Sequence, residues 1–229
     1  MIKAIICLKP LASMSFPPQD LLEAVLHSLN CKWLLKLSQF WQELPSVPLP
    51  VVLQKAKENA ALQTARSINL LEFQYSTDNN STYPTGAKAE NIAITLLQNK
   101  YANDPSIFAI GSACKYTGTT ADFSDFTASN IGWDFTAIST TSGVTSSASD
   151  LLPTVYCTGE SVTIPTTAGT GLNLTLSGSG VFKNYGIAVA YKGNNASFIK
   201  GALSGATAVA TGFISKSYND STSYTQLKP

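Results

Sequence analysis

The feature that most constrains this chain is a change in its residue pattern near position 105. Upstream, Leu53, Ala60, Thr64, Ile68, Leu71 and Tyr75 recur at steps of seven, four, four, three and four. Those steps align them on one face of a helix. Downstream, 36 of the 119 residues from Gly111 onward are Ser or Thr and none is Arg, a composition that favours strands and turns over helices. The fold class expected is α+β: a long N-terminal helix packed on a mainly antiparallel, β-rich head. Three segments follow from the pattern: an atypical N-terminal segment (1–49), a helical stem with a second helix (50–104), and a Ser/Thr-rich β head (105–229).

Local signals set the expected boundaries. Pro50 suits the first turn of the long helix, and the polar run from Ser76 to Pro84 stops it. A second helix is expected from Thr85 or Gly86 to Lys100, with Ala89, Ile92, Ala93, Leu96 and Leu97 facing inward and Asp104-Pro105 ending it. Beyond it, short apolar clusters bounded by turn residues predict strands at Ser106–Ile110, Ile131–Ile138, Thr154–Cys157 and Ser161–Ile164. Further strands are predicted at Leu172–Leu176, Gly186–Tyr191 and Ala206–Ile214. The apolar run Ile187–Tyr191 reads as a central strand, and Ser139–Ser149 as a loop.

Charge narrows the function. Charged residues are 13% of the chain and the net charge is +1, so the concentrated basic face that nucleic acid requires is not expected. An apolar content of 44% excludes a solvated disordered chain. The single histidine, His27, falls in the atypical segment, and no Gly-x-Ser-x-Gly elbow occurs. The chain therefore reads as non-catalytic, with no catalytic, cofactor-binding or metal residues. Asp122, Asp125 and Asp134 have the oxygen chemistry calcium prefers, but their spacing fits solvated loop acids better. Cys7 and Cys31 lack metal-ligand spacing. Cys114 and Cys157 are a disulfide candidate that would close a loop of about 44 residues, worth roughly 4 kcal/mol in the chain-entropy model. Two free buried thiols are the other reading.

The run Pro50-Val51-Val52-Leu53-Gln54-Lys55-Ala56-Lys57-Glu58-Asn59-Ala60, then Phe73-Gln74-Tyr75 and Asp78-Asn79-Asn80-Ser81-Thr82-Tyr83-Pro84, resembles the type IV pilin and type II secretion pseudopilin family. The likeness covers roughly 35 residues. In that family a long helix leaves the membrane near a proline, turns through a polar segment and carries a small β-rich head. The resemblance implies a pilus-like or pseudopilus filament subunit. Its partners would be other pilin-like subunits and the secretion or pilus assembly machinery, with no nucleic acid and no cofactor. The family form is exported, anchored in the inner membrane or displayed at the cell surface. Leu53, Ala60, Thr64, Ile68 and Leu71 would then pack against the head or a neighbouring helix.

The family's leader, its Gly-Phe-Thr-Leu-x-Glu motif and its apolar helix are not present in residues 1–49, and no run of 18 apolar residues is found there. Codon arithmetic supplies one account. Read two bases out of register, Asn30/Cys31 and Phe40/Trp41 must each give Leu and Trp41/Gln42 must give Ala. One permitted reading from Ala24 begins Gly-Phe-Thr-Leu-Ile-Glu. The other account is a genuine N-terminal helix presenting Leu34, Leu37, Phe40, Trp41 and Leu44. A second function remains open beside the filament subunit: an exported β-rich binding module for a glycan or surface partner, with Trp133, Tyr116, Tyr218 and Tyr224 as contacts.

Overall fold

The computed structural model describes residues 49–110, 114–119, 121–204 and 207–229; both accounts of residues 1–48 lie outside the described residues. Pro50–Pro229 form one folding unit. Helix α1 spans Leu49–Asp78 and, at about 1.5 Å per residue, is roughly 45 Å long. It starts with Pro50 in its first turn and ends where expected. Asn80 and Ser81 take positive φ (52° and 58°), and the Ser81 N–H donates to Ser76 O at 2.9 Å, closing the last turn in the manner of a left-handed cap. Helix α2, Ala89–Gln98, buries Ala89, Ile92, Ala93, Leu96 and Leu97, the five residues its spacing selects.

Seven strands follow: β1 Asp134–Ala137, β2 Pro153–Tyr156, β3 Leu172–Leu176, β4 Gly186–Tyr191, β5 Ala196–Ser204, β6 Thr207–Ile214 and β7 Thr225–Leu227. They form a single sheet in the order β3-β6-β5-β4-β2-β1-β7, and every pairing is antiparallel. β4 lies at the centre, as its apolar run predicts. Its side chains alternate between two cores, as the period of two requires. Ala188 and Ala190 join Ala65, Ile68, Leu96, Trp133 and Phe135 under the helices. Ile187 and Val189 join Leu176, Phe213 and Tyr218 on the opposite face.

The α+β expectation is corrected by this arrangement. Among the described residues there are two α-helices, both laid on one face of a seven-stranded antiparallel sheet, and the fold is mostly β. The physical reason lies on α1. Apart from Ile68, its buried side is made of small and polar residues (Ala61, Ala65, Asn69, Glu72 and Ser76). A helix with so little apolar bulk covers a sheet; it does not build a separate helical layer. Residues on both sides of position 105 share one core.

Several strand expectations change as well. Ser106–Ile110 is not a strand: Asp104 caps the Ser106 N–H and a short 3-10 helix runs Pro105–Phe108. Ser161–Ile164 is in no strand; the Val162 N–H donates instead to Gln226 Oε1 at 2.7 Å. β5 and β7 were not expected.

The Ser/Thr loop 139–149 is firmly attached. Thr82 and Thr145 form an isolated antiparallel bridge, and the Tyr83 N–H donates to Val144 O at 2.8 Å. Thr85 Oγ1 donates to Ser139 O at 2.8 Å. At Gly143 a Cβ would land on Tyr83 O. Gly143→Ala is therefore expected to force these two segments apart and cost about 1–3 kcal/mol, read as a lower urea midpoint with unchanged slope.

Candidate functional site

α1 is docked along part of its length and exposed along the rest, and this asymmetry creates two hollows. Toward the C-terminal half, Asn69 fastens the helix to the sheet. Its Nδ2 donates to Tyr191 O at 2.9 Å, and Thr154 Oγ1 donates to its Oδ1 at 2.8 Å. One turn on, Glu72 is 1% exposed, and its Oε2 has no hydrogen-bond partner. Burial raises its carboxyl well above the usual carboxylate range, so the neutral acid is favoured.

Beside this half of α1 lies a cleft of about 540 Å³ lined in part by Leu70, Phe73, Ser76, Tyr83, Asp150 and Lys192. Lys192 Nζ is 3.0 Å from Asp150 Oδ1, so the cation is matched within the wall. Tyr83 is pushed up to about 12 by burial first, then by the charges of Glu72 and Asp150, and its phenol stays protonated. The hydroxyls lining the cleft have no histidine or free carboxylate base among the described lining residues. A set of this kind can bind and orient a ligand.

The second hollow, about 520 Å³, lies along the N-terminal half of α1 between Lys57, Ala60, Ala61 and Thr64 and the connection bearing Val181 and Tyr185. A smaller one next to it is lined by Val51, Lys55, Glu58, Tyr185 and Lys200. Large apolar side chains are left exposed on this end: Val51, Val52 and Leu53 on the helix, and Val181 and Tyr185 opposite.

The residues expected to pack along α1 divide between these environments. Ile68 is buried, Thr64 and Leu71 are half-buried, and Ala60 and Leu53 are exposed, Leu53 by 56%. In the N-terminal half the buried line runs instead through Ala61 and Ala65, one residue over. The sequence signal for the true face was present as small or polar residues at steps of four, four, three and four: Ala61, Ala65, Asn69, Glu72 and Ser76. A search for apolar periodicity passes over it.

Cys114 and Cys157 are both free thiols in the structure, Cys114 half-buried and Cys157 buried, so no bridge joins the candidate pair. Burial pushes the Cys157 thiol up to about 12, which keeps it unreactive at neutral pH. The three aspartates do not converge, and among the described residues no group of three or more His, Cys, Asp or Glu could hold a metal. Asp122 accepts from Ser124 and Asp125 from Tyr116. Asp134 is buried on β1, where it accepts from the Thr158 N–H at 3.3 Å and the Thr158 hydroxyl at 3.1 Å. Of the aromatic contacts proposed for a binding module, Trp133, Tyr218 and Tyr224 are core side chains and Tyr116 is half-buried against Phe123 and Phe126.

No described helix is long and apolar enough to cross a membrane. Comparison with known protein families, with curated proteins and with solved structures gave no match.

Proposed function

We propose that this protein is a non-catalytic structural subunit of a pilus-like or pseudopilus-like filament, assembling through the exposed half of α1. The observation that supports this reading is the contrast within one helix. Its C-terminal half is held to the sheet by Ile68 and Asn69, while its first turns present Val51, Val52 and Leu53 to solvent. Contiguous exposed apolar side chains mark interaction surfaces more often than isolated ones do. Small exposed residues at positions 56 and 60 leave room for a second backbone to approach closely. The binding-module alternative is the weaker reading, because three of its four proposed contact rings lie in the cores.

Leu53→Asp tests the proposal. Leu53 is exposed, so the fold is expected to keep its unfolding free energy in urea within about 0.5 kcal/mol. The full chain is expected to form higher-order species on chemical crosslinking and fibres under negative-stain microscopy, and the variant to lose both. Equal assembly by the variant would remove the exposed half of α1 from the reading.

A further inference from the structure

Three segments meet beside the last turns of α1: the helix itself, the Ser/Thr loop with Asp150 just after it, and the turn from β4 to β5 bearing Lys192 and Asn194. The cleft of about 540 Å³ between them has the size of a small-molecule site, for which about 300–1,000 Å³ is usual. Its helix wall is apolar, with Leu70 43% exposed and Phe73 54% exposed. Its other wall is polar and has hydrogen-bonding capacity to spare. Lys192 is the clearest case. Its side chain is only 10% exposed, yet its ammonium gives one bond, to Asp150 Oδ1 at 3.0 Å. An ammonium has three donors, so two are left to which no described residue offers an acceptor. The Ser81 and Ser146 hydroxyls and the Asn194 amide, also on the wall, make no side-chain hydrogen bond among the described residues.

No excess of charge lines the cleft. Among the described lining residues only Lys192 and Asp150 are charged, and they match each other. The flanking charges on the helix are again one of each sign: Arg66 one turn before Leu70, and Asp78 directly after Thr77. The negative end of the helix dipole lies here too and disfavours an anion. A neutral ligand with adjacent hydroxyls suits such a wall. One hydroxyl of a vicinal diol accepts from the Lys192 ammonium while its neighbour donates to the Asp150 carboxylate. Hydrogen bonds to charged groups are the stronger kind. A sugar ring adds a face of C–H bonds, which an exposed aromatic ring can cover.

We propose that this cleft binds a neutral sugar unit of a glycan, with the C–H face of the sugar on Phe73 and a vicinal diol on the Lys192–Asp150 pair. None of Trp133, Tyr116, Tyr218 and Tyr224 lines it; the contact ring is Phe73, on the helix. The site is separate from the surface assigned to assembly. Phe73 and Leu53 are 20 residues apart on α1, roughly 30 Å at about 1.5 Å per residue. The inference therefore goes beyond the filament-subunit reading and does not depend on it.

Saturation-transfer NMR on the full chain tests this, with lactose, cellobiose, maltose and diacetylchitobiose as probes at about 10 mM, enough to fill a millimolar site. At least one of these sugars is expected to receive saturation, strongest at its ring C–H protons. It is expected to bind roughly tenfold more weakly to Phe73→Ala and to Asp150→Ala. Both positions are exposed, and circular dichroism with urea denaturation verifies that the variants fold. Inorganic phosphate and putrescine serve as the anionic and cationic controls. No signal from any of the four sugars, tighter binding of either charged control, or sugar binding that survives both substitutions overturns the site. Each of these outcomes leaves the subunit reading where the Leu53→Asp assembly test puts it.

Discussion

Raising the pH from 4 to 7 is expected to destabilise this protein. Two buried carboxyls set the sign. Burial pushes Asp134 up to about 6, against the smaller downward pull of the Thr158 N–H and hydroxyl, Lys228 and Gln226. Burial alone raises Glu72. In the unfolded chain both groups titrate near 4, so across that window the native state holds protons that the unfolded state has released. Stability is then fullest below the unfolded value and falls as pH rises through the folded one, levelling beyond it. For Asp134 alone the interval corresponds to about 3 kcal/mol, and Glu72 adds in the same direction.

Acid-side behaviour has the opposite origin. Partial burial works upward on Asp220, but donors from Tyr224, Thr222 and the Ser149 N–H outweigh it and bring the group to about 2. That contribution is present above about 4 and is lost as pH falls toward 2. A stability maximum near pH 4 to 5 is therefore expected. Urea denaturation across pH 3 to 8 measures it, and Asp134→Asn should flatten the neutral limb while leaving the acid limb unchanged. A curve rising from pH 4 to 7 would show that Asp134 is not buried as described.

The second large effect belongs to Asn69. Asn69→Ala removes a donor to Tyr191 O and an acceptor from Thr154 Oγ1, and leaves a void under α1. Each unmet buried group costs about 1–3 kcal/mol. Tyr191 O still accepts from the Asn194 N–H and Thr154 Oγ1 retains a weak 3.4 Å contact with Ala190 O. The expected loss is therefore about 3 kcal/mol, toward the lower end of the sum. Thr154→Val should cost less, about 1 kcal/mol. In a double-mutant cycle the pair should show a coupling of about 0.5 kcal/mol or more, as contacting residues do. Additive effects would mean that the two side chains do not meet.

What could be read from the chain, and what could not, follows from the kind of signal each element leaves. The buried stripe of α2 was legible to the residue because Ile92, Ala93, Leu96 and Leu97 are apolar at helical spacing, although the helix itself, Ala89–Gln98, is shorter at both ends than the expected span from Thr85 or Gly86 to Lys100. β3 was legible because Leu172, Leu174 and Leu176 alternate with polar residues between glycine-bearing turns, and β4 because Gly186 and the turn after Tyr191 bound a short apolar run. β5 was hidden: Lys200 and Gly201 interrupt its pattern, and Leu203 is 80% exposed, so its alternation never becomes an apolar face. β7, three residues long, is too short to show a period. Ser161–Ile164 looked like a strand because Val162 and Ile164 alternate, and both are buried. The Gln226 side chain, which donates from Nε2 to Glu160 O and accepts from the Val162 N–H, takes the place of a ladder there. The docked face of α1 was illegible for the reason that corrected the fold class. Asn69, Glu72 and Ser76 are buried polar residues, and only their tertiary partners reveal them.

The docking of α1 also decides how the molecule would carry a pull. Tension applied at the first turns of the helix travels along its axis to the docked half, where Ala65 and Ile68 share the core with the strands and Asn69 adds its hydrogen bonds. There it divides between Thr154 on β2 and Tyr191 on β4, which are neighbours at the middle of the sheet. The force enters at the centre of the sheet and not at a free edge, where strands could be unzipped one bond at a time. Seven strands would resist together, in shear, and the helix end is the part that would yield first.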